Sequence, residues 1–238
     1  MKKMLKRTIY LLALAVAVST TSPALAVNDP IEPVNRAVMK FNDQVDKYLL
    51  KPLAKGYDAV MPEFAQAGVG NFFSNLKYPV VVANQFLQGK VKDGFQDTTR
   101  FLINTTFGVA GVMDVAKHFG LKENKEDFGQ TLGVWGVGSG PYVVLPLLGP
   151  ATTRGVVGRF ADYHVDPMNS DYFDDRDATQ NQMRALDIIH TRAQLLKVER
   201  LVSGDRYVFV RDAYLQKRQD LINDGRYDTN SDPFLDGE

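Results

Sequence analysis

The chain has 238 residues, 28 basic and 28 acidic side chains, and no cysteine. Without cysteine it can hold no disulfide framework, thiolate metal site, cysteine nucleophile or lipid-bearing lipobox cysteine. Its balanced charge, with no basic stripe, argues against a nucleic-acid partner.

Lys2, Lys3, Lys6 and Arg7 form a basic start, residues 8–18 a short apolar stretch, and Ala24-Leu25-Ala26 a small-residue cleavage site. This reads as a secretory signal, too short to span a membrane, with cleavage between Ala26 and Val27. Its removal takes four of the 28 basic residues and leaves 24 against 28 acidic, a net charge of about −4. The mature length of about 210 residues suits one domain or two small ones. An exported chain without cysteine fits a bacterial envelope.

Asp29-Pro30 is a good helix start, a capping acceptor followed by a proline whose missing N–H costs nothing there. Val34, Val38, Phe41, Val45 and Leu49 recur at three- and four-residue spacing, apart from Arg36, Lys40, Asp43 and Lys47. This predicts a helix that Pro52 ends. Pro62 opens a second to about Leu76, and Pro79 a third that Gly89 stops. From Lys90 a longer helix runs to about Thr106 through Val91, Phe95, Phe101 and Leu102. Residues 104–120, "NTTFGVAGVMDVAKHFG", predict two short helical pieces or a hairpin ending at Gly120, and "LKENKED" a charged surface loop.

Residues 128–150, "FGQTLGVWGVGSGPYVVLPLLGP", are long and apolar enough to suggest a membrane span. Six glycines and three prolines rule out a continuous helix. A weak helical patch covers residues 153–163, and beyond Asp166-Pro167 comes the polar connector "NSDYFDDRD". Met183, Leu186, Ile189, Ala193 and Leu196 mark the next helix. The last contains Val208, Ala213, Leu215, Leu221 and Ile222, between an N-cap at Asp205 and Gly225. The acidic tail, residues 227–238, reads as disordered. There is no internal repeat and no alternating strand pattern longer than a few residues, so the expected fold is mostly α.

Catalytic and metal motifs are missing. His118, His164 and His190 lie far apart with no HExxH pair. "GVGSGP" lacks the lysine and following helix of a phosphate loop, and Val137 breaks a GxSxG pattern at Ser139. Asp228, Asn230 and Asp232 imitate a calcium loop, but Pro233 stands where glycine is needed. No enzyme, cofactor or metal is expected. Trp135 and Tyr142 suit either a buried glycine-rich loop or a membrane interface.

In order along the chain, "DPIEPVNRAVMKFN", "NFFSNLKYP", Asn84 with "FLQG", "RFLINTTFG" with Gly111 and Asp114-Val115-Ala116, the glycine-rich segment with Arg154, "TRAQLL" and "VRDAYLQ" resemble the MlaA (VacJ) proteins of the Gram-negative outer membrane. The resemblance implies a single helical domain over residues 27–226, a ring lying in or on the membrane around an amphipathic channel. It further implies removal of misplaced phospholipids from the outer leaflet and their delivery to a soluble periplasmic lipid carrier, upstream of an inner-membrane ATP-driven transporter. Association with trimeric porins is implied too. The expected place is the periplasmic side of the outer membrane, exported but not lipidated, because the usual lipobox cysteine is missing. Phe107, Val109, Val112 and Met113, with Leu145 and Leu147 opposite, are the expected channel wall, and Trp135 and Tyr142 the membrane-interface aromatics. A structural porin adaptor and an envelope lipase are the competing readings; the lipase needs a nucleophile with a base, and the sequence offers none.

Overall fold

Prolines shape the first half of the fold by failing to break it. In the computed structural model, helix α1 (Glu32–Val45) passes through a five-residue π turn, Asp46–Leu50, directly into α2 (Lys51–Val60). Pro52 therefore continues the rod that it was expected to end. It falls in the first turn of α2, where its missing N–H is not needed, and the wider π turn supplies the adjustment before it. Pro79 likewise lies inside one helix, α3 (Glu63–Leu87), where two were expected. The contact of α3 with α4 (Val91–Thr106) is the most extensive between helices, and this packing outweighs the roughly 3 kcal/mol cost of an internal proline. Gly89, at φ +75°, does stop α3.

The structure describes residues 29–169, 176–199, 202 and 204–225. The signal with its Ala26–Val27 junction, the 170–175 part of the connector and the tail from Tyr227 lie outside them. A 3₁₀ turn, Ala116–Phe119, ends at Gly120 in the left-handed region. The glycine-rich segment then resolves into a short helix, α5 (Phe128–Val134), a loop, and an antiparallel hairpin of β1 (Tyr142–Leu145) and β2 (Gly149–Thr152). Tyr142 pairs with Thr152 and Leu145 with Gly149. Each strand is four residues, below the length at which alternation can be read. Helix α6 (Thr153–Tyr163) starts where Thr152 accepts a bond from the Gly155 N–H. Helices α7 (Arg176–Val198) and α8 (Arg206–Ile222) follow, the latter capped by Asp205, which accepts from the N–H groups of Tyr207 and Val208. The fold is mostly α, as expected.

The apolar core is small. Tyr142, Val144 and Tyr207 form it, with Val38, Met39, Val208, Tyr214 and Leu215 packed around them. Elsewhere the usual partition is blurred, and on α4 it is inverted: among the described residues, buried polar and charged side chains are as numerous as buried apolar ones. Of the stripe residues, Val34 and Phe41 on α1 and Leu49 in the π turn are exposed, while Asn35 is buried. On α4, Val91, Phe95 and Leu102 face outward, and Gly94, Asp97, Arg100 and Asn104 form the buried stripe. Periodicity finds these helices, but the face that α4 turns inward is the polar one, and on α1 Asn35 is buried beside the core-packed Val38 and Met39. No described helix is long and apolar enough to cross a membrane.

Helices α5 and α6 meet through glycine. A Cβ on Gly158 would lie 2.3 Å from the Gly129 nitrogen and 2.6 Å from its Cα. Gly158→Ala must push two backbones apart and should cost about 3 kcal/mol or more, the upper range for overpacking. Gly56, in α2 with nothing near its missing Cβ, is the control: Gly56→Ala should stabilise by up to about 1 kcal/mol. Thermal unfolding of the two variants in detergent checks both signs.

Candidate functional site

Helix α3 turns a row of amides toward α4 and α6; each gives its N–H group to a partner, while the oxygens of Asn75 and Gln85 are left without one among the described residues. Gln85 Nε2 donates to Asp97 at 3.0 Å, and Asn124 Nδ2 reaches the same carboxylate at 3.1 Å. Asn84 Nδ2 donates to Asp162 at 3.0 Å, while its carbonyl oxygen accepts from the Thr131 hydroxyl at 2.7 Å. Asp162 also accepts the Phe128 N–H at 3.0 Å, which ties the start of α5 to this row. Burial pushes the carboxyls of Asp97 and Asp162 up, and their amide partners only partly offset it.

Further along α3 the interactions become ionic. The Arg100 guanidinium is buried, bonded to the Tyr78 hydroxyl, to the Leu121 carbonyl at 2.5 Å and to Asp114 at 2.5 Å. Asn104 joins them, giving its amide to Asp114 at 3.0 Å and accepting the Ala116 N–H at 2.9 Å. Burial alone would raise the Asp114 carboxyl, but the Arg100 and Asn104 bonds hold it below the usual range. The loop expected to be charged surface is also pinned: Glu126 pairs with Lys90 at 3.3 Å, and Asp127 takes two bonds from Arg218, at 2.5 and 2.9 Å. That expectation is corrected for Glu126, whose side chain is buried, while Asp127 remains partly exposed and is fixed by Arg218 at the start of α5.

Above the ionic cluster lies the turn 107–113. A Cβ on Gly108 would fall 2.2 Å from the Met113 oxygen, and one on Gly111, at φ +90°, 2.4 Å from the Asn75 Cβ. Between them Val109 and Ala110 adopt φ of +53° and +55°. Left-handed backbone at two successive side-chain-bearing residues, one of them β-branched, costs on the order of 1–3 kcal/mol each. The turn is retained by the bonds Gly111 N–H to Asn104 O at 2.9 Å, Met113 N–H to Gly108 O at 2.8 Å, and Asn71 Nδ2 to Val112 O at 3.1 Å.

This arrangement leaves Phe107, Val109, Val112 and Met113 exposed on one strained turn over a polar base. Leu147 is exposed and Leu145 half-buried at the β1–β2 turn, which α1 holds: Asn42 donates to the Leu145 carbonyl at 3.0 Å and accepts the Leu147 N–H at 2.8 Å. The two groups of predicted wall residues are thus carried by different helices. Trp135 is exposed at the end of α5, its indole N–H bonded to the Leu87 carbonyl at 3.0 Å. Tyr142 is a different case. It is 2% exposed, packed edge-on against Tyr207, so it is a core residue and not an interface aromatic. The alternation of β1 turns Tyr142 and Val144 inward.

Two cavities flank the turn along α3. One, of about 410 Å³, opens between α3 and α7; the other is a narrow slit over Tyr78, Arg100 and Asp114. Asn71 lines both and also holds the turn through Val112. Sequence reasoning gave no role to Asn71, Asn75, Arg100 or Asp114, although all four lie in the stretches that carry the family resemblance.

A helical protein with apolar side chains outward, paired polar groups inward and a strained apolar turn beside polar cavities defines the class. The family profile described as MlaA lipoprotein matches residues 27–221, and the chain belongs to the MlaA family. A relative from Escherichia coli (strain K12), named intermembrane phospholipid transport system lipoprotein MlaA, is 36% identical over 219 residues, covering 87% of this chain and 83% of its own. A Haemophilus influenzae protein of the same name is 34% identical over 206 residues, covering 84% and 81%. A solved structure described as the structural basis for maintenance of bacterial outer membrane lipid asymmetry matches with a TM-score of 0.72 at 37% identity, over 82% of this chain and 100% of that one.

The ionic cluster is testable by truncation. Arg100→Met leaves the partly buried Asp114 without its cation and should destabilise by about 3 kcal/mol, whereas Arg100→Met with Asp114→Leu should recover a large part. Denaturant unfolding in detergent reads both, and equal losses would refute the pairing.

Proposed function

We propose that this chain is an intermembrane phospholipid transport component, taking mislocalised phospholipids from the outer leaflet of the outer membrane to a periplasmic carrier. The observation that carries the reading is the inverted partition of side chains on α4, together with the buried amides of α3. A phospholipid needs a polar path for its head while its tails stay in hydrocarbon. Exposed Phe95, Leu102 and Phe107 suit the tails, and the amide-lined cavities suit the head. The charges buried beside α3 and α4, such as Arg100 with Asp114 and Lys90 with Glu126, are paired, so no isolated buried ion, which would be costly to maintain, blocks the path. The chain acts by binding and release, with no covalent step. The 107–113 turn is the gate, its strain lowering the cost of leaving the closed position.

The relatives are named lipoproteins, while this sequence has no cysteine to carry the lipid. Membrane attachment then rests on the exposed apolar surface and on a trimeric porin partner. A single acyl chain gives only marginal anchoring, so its loss is tolerable. The intact mass of the purified protein should match an unacylated chain beginning at Val27; added acyl mass or a retained leader would refute this.

The gate reading has a direct test. A Cβ on Gly68 would lie 3.1 Å from Val112 Cγ1, close enough for Gly68→Cys with Val112→Cys to form a disulfide, in a chain with no competing thiol. Deleting the gene should raise outer-leaflet phospholipid. The native chain and each single cysteine variant should restore asymmetry, and the oxidised double variant should not. Full restoration by the oxidised form would remove the turn as a gate, and an unchanged outer leaflet on deletion would overturn the transport reading.

A further inference from the structure

The cavity between α3 and α7 contains a histidine whose second nitrogen has been left open. His190 is 8% exposed; its Nδ1 lies 3.1 Å from the Tyr57 hydroxyl, and the two rings meet edge to face. Nε2 has no hydrogen-bond partner among the described residues. It faces Gly70, where a Cβ would sit 3.0 Å away, so the missing side chain keeps this nitrogen accessible from the cavity. Burial holds the imidazole pKa below its usual value. With the Tyr57 phenol donating to Nδ1, the neutral ring presents an Nε2–H donor.

The rest of the lining divides into donors and acceptors. Lys197 and Glu63 both stand at this cavity, and neither has an ion-pair partner among the described residues. Gln194 gives its amide to Gln66 at 3.2 Å, and Asn71 gives its own to Val112. Their carbonyl oxygens are left for a ligand. Open donors are therefore His190 Nε2 and the Lys197 ammonium, and open acceptors are Glu63, Gln194 Oε1 and Asn71 Oδ1.

We propose that this cavity takes the zwitterionic head of a phosphoethanolamine lipid, its phosphodiester on His190 and Lys197 and its ammonium on Glu63 and the two amide oxygens. The proposal rests on the transport reading above and names the headgroup that it favours. The volume, about 410 Å³, lies in the range of small-ligand sites, roughly 300–1,000 Å³. A glycerol headgroup would use the donors but leave Glu63 facing an anion. A choline head has no N–H to give the acceptors and favours aromatic faces, and no aromatic ring other than His190 lines the cavity.

Equilibrium binding in detergent micelles, with phosphatidylethanolamine, phosphatidylglycerol and phosphatidylcholine as separate probes, tests this. The native protein should prefer phosphatidylethanolamine. Glu63→Gln should weaken that lipid by about tenfold, as expected for a lost hydrogen bond to a charged group, and leave phosphatidylglycerol unchanged or tighter. Lys197→Gln should weaken both, and Gly70→Ala, which crowds Nε2, should do the same. Soluble glycerophosphoethanolamine, which has the head without the tails, should displace the lipid only in large excess; displacement at concentrations equal to the lipid's would assign the cavity to a soluble ligand and overturn the lipid claim. Binding indifferent to headgroup, in the native protein and in Glu63→Gln alike, would overturn the headgroup assignment and leave transport standing. Failure to bind any phospholipid would overturn both.

Discussion

The fold depends on one buried cation. Arg100 sits on the inward face of α4 and reaches α3 through Tyr78, the chain after the turn through Asp114, and the following loop through the Leu121 carbonyl. A guanidinium removed from water costs several kcal/mol unless its donors are matched, and here each arm has an acceptor. That requirement fixes the spacing of α3 and α4 and the course of residues 108–121 together. Asn104 completes the arrangement, since it serves Asp114 with one end and the Ala116 N–H with the other. The turn between these anchors can then be strained without loosening its base. A strained conformation persists only where its surroundings over-determine it, and Arg100 with Asn104 provides that.

The inverted partition explains what was legible in the sequence and what was not. Helix positions follow from spacing alone, so the helix from Lys90 to Thr106 and the patch at residues 153–163 could be read off directly. Which face turns inward does not follow from spacing. The rule that an apolar stripe seeks the interior assumes water outside, and Val34, Phe41, Phe95 and Leu102 are exposed instead. For the same reason Asn75, Asn84 and Asp97 have the pattern of a solvated face until the opposite helix is in place. The two prolines were misread for a different reason. A local rule predicts a break, but tertiary packing and a π turn absorb it, which no window of a dozen residues contains. Tyr142 needed the strand before its inward direction could be known. Of the predicted wall residues, four share one turn and two another, and only the resemblance singled them out.

The uncharged glycine-rich segment has a plain structural cause. Asp127 before it and Arg154 after it are the nearest charges, and both are fixed: Asp127 to Arg218, and Arg154 to the Val137 carbonyl at 2.6 Å. Between them the chain must let α5 and α6 touch backbone to backbone at Gly129 and Gly158, then fold a hairpin against α1. A long side chain would separate the helices. A charged one at the hairpin would lie beside Asn35, which already gives its amide to the Tyr142 carbonyl and accepts the Val144 N–H. Glycine and small neutral residues are what close approach allows.

Asn71 then links the pieces into a mechanism. It lies on α3 between the wide cavity and the narrow slit, and its single side-chain bond to the turn goes to Val112. A neutral amide bond contributes about 1 kcal/mol, and together with the two backbone bonds of the turn it offsets the roughly 2–6 kcal/mol of strain at Val109 and Ala110. The closed turn is therefore held by a small difference between opposing terms, while its base at Arg100 is held by a large one. On the transport reading, a headgroup ammonium on the Asn71 carbonyl oxygen would polarise the amide that holds Val112 and so act on the turn without disturbing the base. Ligand entry and gate position would be coupled through that one side chain, because its nitrogen holds the turn while its oxygen faces the cavity.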